Sequence, residues 1–160
     1  MRYFLLLFIN LFYFSAFSQE TSLFFNGMNY HYEQLTPEVS IKASYAKGII
    51  TVNISVPSKN KANLYDQMKI CIVGKEIENY RFNACDTKKN KDCSSYIQAN
   101  WYDEYGKLAT LNTLALKETP NGIIKLLKLE DGKMDAKFYI IADDKTIEGK
   151  FKNIAVENLK

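Results

Sequence analysis

Two neighbouring segments of the chain, residues 39–45 and 50–56, place apolar and polar side chains at alternate positions. Successive side chains of a β-strand point to opposite faces of a sheet, so this period of two predicts two half-buried strands. The dipeptide Lys47-Gly48 between them predicts a tight turn. Such a turn brings the apolar residues of both segments to one face. The facing pairs would be Tyr45 with Ile50, Ala43 with Val52, and Ile41 with Ile54.

The last third of the chain predicts two further hairpins. Asp131-Gly132 is a strong two-residue turn signal. It gives the facing pairs Glu130–Lys133, Leu129–Met134, Lys128–Asp135 and Leu127–Ala136. The same register would set Lys125 against Phe138, so we expect the ladder to end or bulge there. A second turn at Asp144-Lys145 gives the facing pairs Ala142–Ile147, Ile140–Gly149 and Phe138–Phe151.

The rest of the chain predicts shorter strands. These are expected at residues 23–35 around an Asn26-Gly27 turn, and at residues 69–73, 77–82, 96–102 and 108–116. Residues 63–68 can form one short helix. No internal repeat or linker indicates a second domain. The sequence therefore predicts an all-β fold, an antiparallel β-sandwich or flattened barrel of about 8–10 strands.

Residues 1–18 have the composition of a secretory signal peptide. Arg2 precedes about twelve apolar residues, and Ser15-Ala16-Phe17-Ser18 offers small side chains for cleavage. A retained anchor is the alternative, but a bilayer helix needs roughly twenty apolar residues. No cysteine stands at positions 17–20, where a bacterial lipoprotein would be acylated. We expect one mature β-domain at residues 19–160, secreted or periplasmic, with no membrane span.

The charge pattern argues against a nucleic-acid partner. The chain carries 21 basic and 18 acidic side chains, and the two signs alternate along it. Proteins that bind nucleic acid use a clustered basic field to displace counterions. Since the sequence shows no such cluster, the expected partner is an unidentified protein or glycan.

Three cysteines stand at positions 71, 85 and 93. In an exported protein Cys85 and Cys93 are natural disulfide partners, because the segment between them is polar and loop-like. Cys71 lies in an apolar stretch and is expected to behave as a small buried hydrophobe. Pairing of Cys71 with Cys85 or with Cys93 remains open.

The residues that most enzymes use are sparse. His31 is the only histidine, and no serine stands in a G-x-S-x-G turn. No C-x-x-C pair or D-x-D-x-D-G calcium loop is present. The carboxylate pairs fall at predicted turns, where aspartate bonds nearby backbone amides. They are Asp103-Glu104, Glu130-Asp131 and Asp143-Asp144. We therefore expect a protein that is not an enzyme and has no metal or cofactor.

Tyr96, Trp101, Tyr102 and Tyr105 form the most suggestive aromatic cluster. Exposed aromatic side chains can stack on sugar rings or anchor a partner chain, so these four are candidate ligand-binding residues. On a strand, however, Trp101 points to the face opposite Tyr96 and Tyr102. The alternation favours the other interpretation, in which Trp101 belongs to the core and the tyrosines are half-buried.

Three segments carry a resemblance to a known family. They are Asn26-Gly27-Met28-Asn29-Tyr30 near the start, the predicted strand at residues 134–142 (MDAKFYIIA), and the following Ile147-Glu148-Gly149-Lys150-Phe151. The chain resembles uncharacterised bacterial envelope domains, in which an Asn-Gly precedes an aromatic residue near the start. Those domains end on strands similar to I-S-G-x-F-x-F-x-A and I-x-G-x-F. The resemblance implies an envelope-associated β-domain of unknown function and assigns no catalytic residue.

Together these patterns favour a secreted, non-enzymatic binding or scaffold domain at the cell envelope. The alternative is a secreted interaction protein, such as an inhibitor or neutralising factor. That protein would act through the 85–93 loop or through a sheet edge that accepts a partner strand.

Overall fold

The computed structural model describes residues 20–25, 27–32, 38–82, 95–116, 118, 120–142 and 144–159. These residues form eleven strands and one short 3₁₀ helix, η1. In chain order they are β1 (Thr21–Phe25), β2 (Met28–Tyr32), β3 (Ser40–Ala46), β4 (Ile49–Pro57), β5 (Tyr65–Val73), β6 (Asn79–Arg81), β7 (Tyr96–Tyr102), β8 (Leu108–Asn112), η1 (Thr113–Ala115), β9 (Asn121–Glu130), β10 (Lys133–Ala142) and β11 (Lys145–Glu157). The predicted signal peptide and the Cys85–Cys93 pair lie outside the described residues.

The strands form one mixed sheet that curls into a half-barrel, which confirms the predicted all-β class. The strand order is β6-β9-β10-β11-β3-β4-β5-β7-β8, with β1 paired to β11 and β2 paired to β1. The described part thus has eleven strands where we expected about 8–10. β11 joins the two halves of the sheet. Its first part pairs antiparallel with β1 and β10, whereas Val156 and Glu157 near its end pair in parallel with Ala43 and Ser44 of β3.

The β3–β4 hairpin confirms its prediction pair by pair. Tyr45 faces Ile50, Ala43 faces Val52, and Ile41 faces Ile54. At the turn both central residues have positive φ, 52° for Lys47 and 81° for Gly48. This is the type I′ geometry, whose twist matches that of the flanking strands. The alternation and the turn residues therefore fix this hairpin locally.

The β9–β10 hairpin keeps the predicted register only near its turn. The first three facing pairs are those expected from Asp131-Gly132. A bulge between Asp135 and Ala136 then shifts the register, so Ala136 faces Leu126 and not Leu127. The extra residue reverses the alternation on β9, which leaves Leu127 exposed and buries Leu126.

The predicted β10–β11 register is wrong by two residues. Ala142 faces Lys145, Ile140 faces Ile147, and Phe138 faces Gly149. An even shift changes the partners but preserves the face of each side chain, so the predicted apolar face survives. Gly149 lies beneath the ring of Phe138, which stacks on Phe151 with ring centroids 5.5 Å apart.

The predicted short helix at residues 63–68 is wrong. Asn63 has a φ of 61° and forms a turn, and Tyr65 already begins β5. From Tyr65 to Met68 exposed and buried residues alternate, and Tyr65 pairs with Pro57 of β4. The expected strand at 108–116 is also shorter. It ends at Asn112, whose side chain accepts the N–H of Leu114 and starts η1.

The core lies between the inner faces of the two halves of the curled sheet. Its largest fully buried side chains are Trp101, Tyr30, Phe25, Phe82 and Phe151. The rings of Phe25 and Tyr30 meet edge to face, with centroids 5.7 Å apart, and Phe25 also contacts Trp101. Aromatic packing thus holds the β1–β2 hairpin against β7. Within the described ranges, no helix is long and apolar enough to cross a membrane.

Candidate functional site

Trp101 lies in the core. Its side chain is 1% exposed and packs on Phe25, with ring centroids 6.1 Å apart. The indole therefore faces the interior of the half-barrel, as the second interpretation of the aromatic cluster expects. Trp101 contributes packing to the fold and offers no surface to a ligand.

The three tyrosines of the predicted cluster lie at separate places. Tyr96 and Tyr102 are half-buried at opposite ends of β7, and Tyr105 is 78% exposed in the turn before β8. A hydrogen bond with Cys71, followed by burial, raises the pKa of Tyr96 to about 12. Cys71 itself is buried and carries a free thiol. The four aromatic residues do not share one surface.

The carboxylate pairs that the structure describes occupy turns. Asp103 accepts the backbone N–H groups of Tyr105 and Lys107 at 2.9 and 2.8 Å, which closes the β7–β8 turn. Glu130 and Asp131 lie at the β9–β10 turn, whereas Asp143 lies outside the described residues. In the part of the chain that the structure describes, no group of three or more His, Cys, Asp or Glu side chains could hold a metal ion.

A groove of about 630 Å³ lies on the outer face of the sheet, across β2, β1, β11, β10 and β9. Neither the aromatic cluster nor the disulfide prediction pointed to it. Because alternate side chains of these strands fill the core, the intervening ones line the groove. They form two lines that run across the strands.

The first line is basic. Lys125 of β9, Lys137 of β10 and Lys150 of β11 face one another in the register, and all three are exposed. Ser22 and His31 continue the line across β1 and β2. We call Lys125, Lys137 and Lys150 the cationic row.

The second line lies two residues further along each strand and is largely apolar. Ile123 faces Tyr139, Tyr139 faces Glu148, and Glu148 faces Phe24. Tyr139 is 38% exposed, while Phe24 and Ile123 are half-buried. We call Phe24, Ile123 and Tyr139 the apolar row. Glu148 interrupts this row between the two aromatic rings.

The positive charges of the cationic row have no negative partners among the described residues. No member of the cationic row forms an ion pair with another described residue, whereas Lys128, Lys145 and Lys152 each do. Adjacent strands are about 4.8 Å apart, and like charges that face one another across them are destabilising. Among the described residues that line the groove, three are lysines and one is a glutamate, so the net charge of these residues is positive.

The outer face of the other half of the sheet has a different character. A smaller depression of about 340 Å³ lies across β3, β4, β5 and β7. Of the described residues that line it, most are serine, asparagine and glutamine, and Lys69 is the one charged residue. A polar outer face is expected wherever one side of an antiparallel sheet meets water. Its composition therefore gives no reason to assign it a ligand.

Sequence reasoning missed the cationic row because the row depends on register. The predicted β10–β11 register would set Lys137 against Lys152, and the predicted β9–β10 register would set it against Leu126. Only the bulge after Asp135 and the two-residue shift on β11 bring Lys125, Lys137 and Lys150 into one line. The period-two pattern places Lys137 and Lys150 on the outer face, but it sets Lys125 on the apolar face with Leu127, and only the bulge turns Lys125 outward.

No protein-family model, curated protein or solved structure matches this chain. The resemblance to bacterial envelope domains therefore stays a prediction, and the functional argument rests on the fold and the groove.

Proposed function

We propose that this chain is an exported, non-enzymatic binding module that holds an anionic ligand in the groove. The observation that carries the proposal is the cationic row, three facing lysines without an ion-pair partner among the described residues. A bound anion would offset their mutual repulsion. Export is supported by the composition of residues 1–18.

The lining of the groove favours binding over hydrolysis. Among the described residues that line it, Glu148 is the one carboxylate, and a glycosidase uses two carboxylates facing one another across the sugar. His31, exposed on β2, faces Ser22 at the end of the basic line. Half-exposed apolar side chains beside a few charged ones are typical of sites that hold a ligand in one orientation.

The test compares two triple variants of equal charge. The row variant carries Lys125→Gln, Lys137→Gln and Lys150→Gln. The control variant carries Lys42→Gln, Lys61→Gln and Lys107→Gln, three exposed positions that do not line the groove. Binding to dextran sulfate is measured by calorimetry at several salt concentrations, after circular dichroism has shown that both variants are folded.

We expect the row variant to bind roughly thirtyfold more weakly than the control variant. Each exposed charge contact contributes at most about 1 kcal/mol, and three together account for about 2 kcal/mol. Equal losses in both variants would show that only the net charge matters, and the assignment of the groove would then be wrong.

Binding of a partner strand at a sheet edge is a second candidate. Among the described strands, β8 pairs only with β7, so its other edge is open. Thr110→Lys would place a charge on this exposed strand, and it should abolish such binding while leaving anion binding in the groove unchanged.

A further inference from the structure

We infer that the anionic ligand is an acidic polysaccharide, a chain of sugar rings with carboxylate or sulfate groups, lying across the strands. The inference rests on the proposed function and names the chemistry of its ligand. Its starting point is that the groove presents two different lines of side chains side by side.

The direction of the two lines fits a linear ligand. Both the cationic row and the apolar row run perpendicular to the strands, across β9, β10 and β11. Consecutive lysines are separated by one strand spacing, about 4.8 Å, and the two lines lie about 7 Å apart along each strand. A linear ligand can therefore present repeated negative charges to the lysines along one side and a different surface to the apolar row.

The apolar row suits the faces of sugar rings. A sugar ring has a face of C–H groups that packs on aromatic side chains, and Tyr139 and Phe24 offer such side chains at the surface. A phosphate chain without rings would leave this row uncovered. The observed pairing of lysines with apolar side chains therefore favours a ligand with both charge and ring faces.

Glu148 further distinguishes the ligand classes. It lies between Tyr139 and Phe24 in the register, two positions before Lys150. Sugar hydroxyls can donate hydrogen bonds to its carboxylate, and Asn29 and Ser22 line the groove nearby as further polar partners. A polyphosphate has no such donors and would set negative charge against Glu148. A flat membrane surface would not enter a concave groove.

The experiment titrates the full mature chain with four probes. These are polygalacturonate, neutral dextran, inorganic polyphosphate, and vesicles of phosphatidylcholine with phosphatidylglycerol. Five proteins are compared: wild type, the row variant, the control variant, Tyr139→Ala and Tyr139→Phe. Since Tyr139 is exposed on the outer face, the last two are expected to fold, and circular dichroism checks this.

We expect wild type to bind polygalacturonate and not neutral dextran. The row variant should lose this binding roughly thirtyfold relative to the control variant. Tyr139→Ala should weaken polygalacturonate binding about tenfold, whereas Tyr139→Phe, which keeps the ring, should bind as wild type. Tyr139→Ala should leave any weak polyphosphate binding unchanged, because the ring has no part in it.

The outcomes separate the two proposals. If polyphosphate or the vesicles bind at least as tightly as polygalacturonate, and Tyr139→Ala has no effect, the polysaccharide inference is overturned while anion binding in the groove stands. If the row variant equals the control variant with every probe, both proposals fall.

Discussion

The hydroxyl of Tyr30 on β2 donates a hydrogen bond to the carboxylate of Asp66 on β5, and both side chains are buried. The second oxygen of Asp66 accepts the backbone N–H of Tyr102 on β7 at 3.0 Å. The Lys59 ammonium lies 4.9 Å from the centroid of the Tyr30 ring and bonds the backbone carbonyl of Asn29. This network joins the β1–β2 hairpin to the opposite half of the sheet. Because β1 and β2 form one end of the groove, it also sets the groove's shape.

Tyr30→Phe should destabilise the protein by about 2–3 kcal/mol. The substitution removes the donor and leaves a buried carboxylate without one of its partners, which costs more than the bond itself contributes. Urea denaturation measures the change. Tyr32→Phe, on the same strand and half-buried, serves as the matched control and should change stability by less than about 0.5 kcal/mol. Equal changes in both variants would mean that the Tyr30–Asp66 hydrogen bond makes no particular contribution to stability.

Stability should fall steeply in alkali, in part because of Tyr30. Burial, followed by the hydrogen bond to Asp66, raises the pKa of Tyr30 above its ordinary value near 10. The unfolded chain then releases this proton at a lower pH than the folded chain. Above about pH 10 the free energy of unfolding therefore decreases by about 1.4 kcal/mol per pH unit for this group alone. Between pH 10 and 12 the free energy of unfolding of Tyr30→Phe, measured by urea denaturation, should therefore fall less steeply than that of wild type. Parallel curves for the two proteins would show that the raised pKa of Tyr30 does not contribute to the loss of stability.

Gly149→Ala should cost about 1–3 kcal/mol through overpacking. The added methyl would lie 2.6 Å from the ring of Phe138 and 2.9 Å from Leu23. Adding Phe138→Leu to this variant should restore part of the loss, seen as a coupling of about 1 kcal/mol in a double-mutant cycle. Gly122→Ala is the contrast, since its methyl would meet the backbone oxygen of Tyr139 at 2.5 Å. The same Phe138→Leu change should give it no rescue.

Asp135→Ala should lower the free energy of unfolding of the protein by about 1–2 kcal/mol, because it removes a hydrogen bond at the bulge. Asp135 accepts the backbone N–H of Asn153 at 2.7 Å, at the point where Asn153 takes a φ of 56° and the register between β10 and β11 shifts. Asp144→Ala, at an exposed turn, is the control and should change stability by less than about 0.5 kcal/mol. Thermal denaturation compares the two, and an Asp135→Ala melting temperature equal to that of the control would contradict the role of this hydrogen bond.

Trp101, the one tryptophan of the chain, should emit as a buried indole. Iodide should quench its fluorescence weakly in the native protein and strongly in urea, since only unfolding exposes the ring. Polygalacturonate should leave the native quenching unchanged, because the groove and Trp101 lie on opposite faces of the sheet. Strong native quenching would place Trp101 at the surface and revive the aromatic-cluster interpretation.

Much of the local structure could be predicted from the sequence. The β3–β4 hairpin has the predicted turn and the predicted facing pairs, because alternation and a turn dipeptide act over neighbouring residues. The predicted helix at 63–68 was wrong because contacts with distant residues determine the structure of this segment. Asp66 is a charged residue in a buried position, and its partners Tyr30 and Tyr102 come from distant parts of the chain. No short window of sequence contains that information.

Where a strand has no bulge, the sequence by itself determined which face each residue occupies, since side chains of a pleated strand must alternate. On β10 and β11 it therefore placed Lys137 and Lys150 outward and Phe138 and Phe151 inward. Lys125 points outward only because the bulge reverses the alternation on β9. Only the tertiary structure decided that the three lysines face one another. Their alignment depends on the bulge between Asp135 and Ala136, which sets Lys125 against Lys137, and on the register that starts at Ala142–Lys145, which sets Lys137 against Lys150. Alternation is a local steric property, whereas register beyond a turn is set by contacts between residues far apart in the chain.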